Sequence, residues 1–151
     1  MAYRDIPNLV INDAHITSKN FSGKPTDYSD GVRSFCVALD EEDALRLRED
    51  GWNVKTKNSP DEDEPTRYYL PVTVSFDNWP PKVVLVNEGG ANVQLEEEDL
   101  HLLDDNYILH ADVAIRPYQW TLKTGKSGVK AYLKTLYATL EHDEFEDKYA
   151  R

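Results

Sequence analysis

With 151 residues, 40% of them hydrophobic, the chain matches the usual size of one domain and can bury one core. Its single cysteine, Cys36, excludes an internal disulfide, and its apolar runs fall short of the ~20 residues of a membrane-crossing helix. The net charge of −11 argues at first against nucleic acid, but residues 40–50, 61–64, 96–105 and 141–147 hold 21 of the 28 acidic residues. The remainder has 15 basic and 7 acidic residues, and fields are screened within roughly 8 Å, so a basic face can coexist with an acidic total.

Residues 9–17 read as a first strand, with Leu9, Val10, Ile11 and Ile16 among polar neighbours. The Gly, Pro, Ser and Asp of residues 21–31 supply loop chemistry. Over residues 32–39, Arg33, Phe35, Val37 and Leu39 alternate with Ser34, Cys36 and Ala38, which predicts a strand. The clearest helix lies within residues 40–52. Asp40 suits the N-cap, the acidic first turn suits the helix dipole, Gly51 suits the left-handed C′ position, and Trp52 can pack back behind it. Residues 53–57 resume a strand, and 58–65 form an acidic loop.

Residues 67–76 alternate strongly: Tyr68, Leu70, Val72, Val74 and Phe76 against Arg67, Tyr69, Pro71, Thr73 and Ser75. Pro71 predicts an edge or a bulge there. A Trp79-Pro80-Pro81 turn leads to a buried strand at 82–86, a Gly89-Gly90 turn, and a short acidic helix over 95–103. Residues 110–120 and 129–140 are the last strands, joined by a turn at 124–128, and 141–151 is a polar tail. Six or seven strands with one or two short helices predict a mainly-β domain. The options are a small sandwich or a barrel, with an OB-fold-like five-to-seven-stranded barrel matching that economy.

Ala111, Val113 and Ile115 alternate toward a core, so Arg116, Tyr118 and Trp120 emerge on the other face. Lys130, Tyr132 and Lys134 share a face of the last strand. Lys123 and Lys126 come from the linking turn, and Arg67 and Tyr69 from the polar side of 67–76. Cations interleaved with aromatic rings suit single-stranded nucleic acid, because lysine and arginine track phosphates while rings stack on unpaired bases. The same pattern fits an ordinary sheet surface, since Tyr and Trp favour strands and exposed lysines discourage edge-to-edge association. Pro117 could also introduce a bulge that changes which side chains share a face.

Enzyme chemistry is less well supported. His15, His101, His110 and His142 have no metal-ligand spacing, and no second cysteine accompanies Cys36, which reads as a small core hydrophobe. Thr124-Gly125-Lys126-Ser127 ends like a P-loop, but Gln119 stands where the upstream glycine belongs and a strand follows instead of a helix. A hydrolase would require His110, Asp112 and another carboxylate to meet in a cleft. No cofactor, metal site or catalytic group is expected.

Three blocks, residues 111–120 (ADVAIRPYQW), 126–134 (KSGVKAYLK) and 50–55 (DGWNVK), with Asn20-Phe21-Ser22-Gly23 and Arg33-Ser34-Phe35-Cys36-Val37, resemble a group of bacteriophage-encoded single-stranded-DNA-binding proteins. The similarity runs in ordered blocks from about Thr17 to Tyr149. It implies an OB-fold-like single-stranded-DNA-binding domain over residues 1–140 and an acidic C-terminal tail over 141–151. It further implies a non-enzymatic role in phage DNA replication or recombination, in the cytoplasm of the infected bacterial host and without a membrane. Arg116, Lys130 and Lys134 would then contact phosphates, supported by Arg67, Lys123 and Lys126, while Tyr118, Trp120, Tyr132 and Tyr69 stack bases. Related proteins of the T7 type use such a tail, ending in an aromatic residue, for replication partners. Here Lys148 follows the acid and Arg151 is last, a departure from that pattern. Homo-oligomerisation is left open. The alternative is an acidic phage interaction protein, a host-protein binder or nucleic-acid mimic.

Overall fold

The computed structural model describes residues 6–25, 31–57, 66–77, 80–87 and 92–140. Among the described residues nine strands alternate with few helices: β1 (Leu9–Ile11), β2 (Ile16–Asn20), β3 (Ser34–Leu39), α1 (Glu41–Glu49), β4 (Lys55–Lys57), β5 (Arg67–Thr73), β6 (Lys82–Leu85) and β7 (Val93–Leu95). A 3-10 turn (Glu97–Asp99), α2 (His101–Asp105), β8 (Ile108–Thr121) and β9 (Ser127–Leu140) follow. Hydrogen bonding runs β1-β8-β9-β5-β3-β2, with β4 beside β5, and β6 linking β9 to β7. Among the described residues no ladder joins β1 to β2, so the mainly-β, OB-like fold is a partly open barrel. The strand number exceeds seven because β1, β4 and β7 are three-residue pieces.

The inner face is apolar. Phe35, Val37, Leu70, Val72, Val113, Ile115, Leu133 and Leu136 are almost fully buried in one cluster. Phe21 stacks on Phe35 at 5.0 Å between ring centroids. Alternation in β3, β5, β8 and β9 delivers these residues inward and the polar series outward. Cys36 therefore belongs to the outer series of β3, half-buried, and is not a core residue.

Helix α1 ends as its sequence dictates. The Asp40 side chain accepts the Asp43 amide at 2.7 Å, the Gly51 amide donates to the Arg48 carbonyl, and the Trp52 amide donates to the Leu47 carbonyl. Gly51 has φ +96°, the left-handed conformation that this double hydrogen bond requires. Trp52 is buried and bridges Val129, so the helix exit is locked onto β9.

Three further expectations change. The strand expected over 9–17 is two strands, because Asp13 turns the chain at φ +54°. Pro71 is not on an edge. It faces Cys36 on β3, and on its other side it falls between the β4 ladder, which ends at Tyr69, and the β9 bridge at Thr73, where a missing N–H costs no ladder bond. The acidic helix expected over 95–103 is a strand end, a 3-10 turn and α2.

Helix α2 is fastened to β2 and the loop after it. Lys19 Nζ donates to the Leu103 and Asn106 carbonyls at 2.8 and 2.6 Å. Asp104 accepts from the amides of Phe21 and Ser22 and from the Ser22 hydroxyl, at 2.8, 2.9 and 2.5 Å. Burial alone raises this carboxyl, but the Ser22 hydroxyl, the two amides and the Lys19 ammonium outweigh it and hold Asp104 below the ordinary carboxylate range. Leu100 and Leu103, wholly buried, fill the core beneath.

Candidate nucleic-acid interface

Strands β8 and β9 form a long hairpin closed by Thr121 opposite Ser127. Its turn is tied by the Leu122 amide to the Lys126 carbonyl and the Gly125 amide to the Leu122 carbonyl, with Gly125 at φ +93°. Lys123 and Lys126 stand exposed on this turn.

On the outer face of the hairpin, Arg116 lies opposite Tyr132, Tyr118 opposite Lys130, and Trp120 opposite Gly128. Residues directly opposite in an antiparallel pair have Cβ atoms about 5 Å apart, so these side chains form one patch. Tyr118 and Tyr132 meet edge to face, with centroids 6.0 Å apart and planes at 86°. Lys130 Nζ sits 5.1 Å from the Tyr132 centroid. Tyr118 remains 57% exposed, which leaves ring surface open to a base. The Trp120 indole lies over Gly128, where a Cβ would come within 2.7 Å of its Cζ2.

Pro117 introduces no bulge: it pairs with Ala131 in register, beyond the end of the β1 ladder at Ile115. A register shift falls two residues before it, where Ala114 faces Thr135 and Ile115 faces Leu133. Lys134 is the extra residue, exposed at the border of the patch.

Arg67 and Tyr69 are on the same outer face but apart from the hairpin. Strand β5 meets β9 only where Thr73 registers with Tyr132, and its other end pairs with β4, Tyr69 opposite Lys55 and Arg67 opposite Lys57. Lys55 and Lys57 were absent from the sequence-based set. Their spacing of two in an expected strand was the signal that could have placed them.

Charge is sorted by element. Asp112 is the one carboxylate on the nine strands, against eight lysines and arginines, and the helices carry the acid of α1, the 3-10 turn and α2. Glu97 pairs with Arg33 at 3.0 Å, and Arg33 also lies over the Phe76 ring. Asp112 lies beyond Ala114, outside the aromatic patch, where His110 Nδ1 is 2.8 Å from Asp13 and Nε2 is 3.4 Å from Asp112. His110 thus stands between two carboxylates, and all three side chains are well exposed. Among the described residues no cluster of His, Cys, Asp and Glu could hold a metal ion, and no helix is long and apolar enough to cross a membrane.

The fold has solved counterparts. The single-stranded DNA-binding protein from bacteriophage Enc34, as a C-terminal truncation, superposes with a TM-score of 0.56 at 10% identity, over 90% of this chain and 87% of that one. The Enc34 protein in complex with ssDNA gives 0.56 at 12% identity, over 91% and 89%. At such identities the likeness is one of fold. No curated protein sequence matches the chain. A family described as "Putative phage ssDNA-binding domain" matches residues 1–151, the whole length, and the chain belongs to that family.

Proposed function

We propose that this protein binds single-stranded DNA without sequence preference and without catalysis, as part of phage DNA replication or recombination in the cytoplasm of the infected host. The observation that carries the reading is the interleaving of Arg116, Lys130, Tyr118, Tyr132 and Trp120 on one outer face of β8 and β9. Family membership supplies the ligand class, and the ssDNA complex of the Enc34 protein shows that this fold can hold it.

Arg116, Lys130 and Lys134 contact phosphates, with Lys123 and Lys126 reaching from the turn and Arg67 from β5. Tyr118, Tyr132, Trp120 and Tyr69 stack bases. Stacking contributes about 1–3 kcal/mol per base and tolerates any sequence, because every base has a π-face. The near-absence of carboxylates from the strands keeps phosphate repulsion off this face, while the acid of the helices opposes nonspecific contact elsewhere. Residues 141–151, outside the described residues, offer acid to replication or recombination proteins.

Tryptophan-fluorescence titration with oligo-dT at several salt concentrations tests the reading. Trp120 is on the binding face, so quenching that weakens with salt and that Trp120→Phe removes is the expected result. Absence of binding at low salt, or equal affinity for duplex DNA, would overturn it.

A further inference from the structure

Lys55 and Lys57 point to a second contact. Strands β4 and β5 form a short ladder in which Lys55 faces Tyr69 and Lys57 faces Arg67, so three cations and one ring share a side. Lys55, Lys57 and Arg67 are exposed, and none has an ion-pair partner among the described residues. Three exposed cationic side chains gathered on one short ladder suit the evenly spaced charges of a polyanion.

The side of the ladder is fixed by register. Leu70 and Val72 face the core, and Thr73 registers with Tyr132, so Arg67 and Tyr69 share the outer face with the hairpin patch. At about 3.3 Å per residue, Tyr69 lies about 13 Å and Arg67 about 20 Å along β5 from that contact point. Between the two patches the face carries Thr73 and Pro71, flanked on β3 by Ser34 and Cys36. All four are small and uncharged, and burial pushes the Cys36 thiol up, so it stays neutral. No carboxylate of β3, β4, β5 or β9 interrupts the path.

We propose that Lys55 and Lys57, with Arg67 and Tyr69 opposite them, form a second phosphate-contacting site that takes the same DNA strand after it leaves the β8–β9 patch. The proposal rests on the single-stranded-DNA reading above. It divides the footprint into two parts: a short oligonucleotide occupies the hairpin patch alone, and a longer one engages both.

Fluorescence anisotropy with labelled oligo-dT of about 6 and about 20 nucleotides, within the 4–16 nucleotides per OB fold and beyond it, separates the two. Lys55→Gln/Lys57→Gln should bind the long oligonucleotide about tenfold more weakly at low salt. Its log–log salt dependence should fall by about 1.4, as two lost phosphate contacts on a single strand predict. Affinity for the short oligonucleotide should stay at the wild-type value, and Lys55→Arg/Lys57→Arg should restore the long one. Unchanged affinity for the long oligonucleotide, or equal loss for both lengths, overturns the second site while leaving the hairpin patch standing. Failure of the wild-type protein to bind either length overturns both readings. The short-oligonucleotide affinity also checks that the glutamine variant is folded.

Discussion

At the α2 end of the barrel, Lys19 gives its ammonium to two carbonyls and Asp104 collects three donors, all within hydrogen-bonding distance. On the β8–β9 face, Lys123, Lys126 and Lys134 stand in solvent and Lys130 rests against the Tyr132 ring. Charged side chains at the first site are committed to the fold, whereas the side chains of these four lysines make no hydrogen bond or ion pair among the described residues. The difference predicts that substitutions at the two sites affect different observables, stability at α2 and ligand affinity on the hairpin.

The largest effect is expected from Tyr118→Ala/Tyr132→Ala. Removing two stacking rings at about 1–3 kcal/mol each should weaken oligo-dT binding about thirty-fold or more. Both rings are on the outer face, and the core residues Ile115, Ala131 and Leu133 are untouched, so the thermal midpoint should move little. Anisotropy titration and thermal melting of the same sample decide the matter. A large fall in the midpoint with affinity retained would break the comparison.

Asp104→Asn should do the reverse. The amide keeps one acceptor but loses the charge that three donors and Lys19 hold, costing about 1–2 kcal/mol of stability with oligo-dT affinity unchanged. The sign of the pH dependence follows from the depressed carboxyl. Its stabilisation is fully present above the unfolded value of about 4 and is lost as pH falls through the lower folded value. Urea denaturation should therefore show wild type and variant well separated at pH 7 and converging below about pH 4. A gap that is constant down to strong acid would show that Asp104 does not act through its charge.

How much of this was legible in the sequence depends on the range of the interactions. The capping of α1 by Asp40, Gly51 and Trp52 involves neighbours within a few residues, and it was readable in full. So was the alternation that puts Arg116, Tyr118 and Trp120 on one face and Val113 and Ile115 on the other, because the period of two is local. Register was not readable. Nothing in residues 129–140 says that Tyr132 faces Arg116 or that Lys134 is the bulged residue, and nothing in residues 53–57 says that Lys55 meets Tyr69. The Asp104 fastening joins residues more than 80 apart, and β7 is too short to leave a periodic trace. The hairpin was therefore found as a list of exposed residues, and the structure turned it into pairs.

One of those pairs supplies the smallest and sharpest test. Gly128 sits opposite Trp120 with the indole drawn over it, and an added Cβ would lie 2.7 Å from Cζ2 and 3.0 Å from Cε2. Gly128 does not adopt a positive φ, so alanine meets the ring without straining the backbone. The hairpin should remain paired through Thr121 and Ser127 while the indole is pushed off the face. Gly128→Ala should therefore shift the tryptophan emission of the free protein and weaken oligo-dT binding about three- to tenfold, within the contribution of one stacked base. Stability should change by less than about 1 kcal/mol, because the indole covers only one glycine and leaves the core in place. Because the substituted residue has no side chain to contribute to DNA, any loss of affinity comes from where it holds its neighbour. An altered emission with unchanged affinity would assign Trp120 to the structural side of the comparison, as a cover for Gly128, and leave base stacking to Tyr118 and Tyr132.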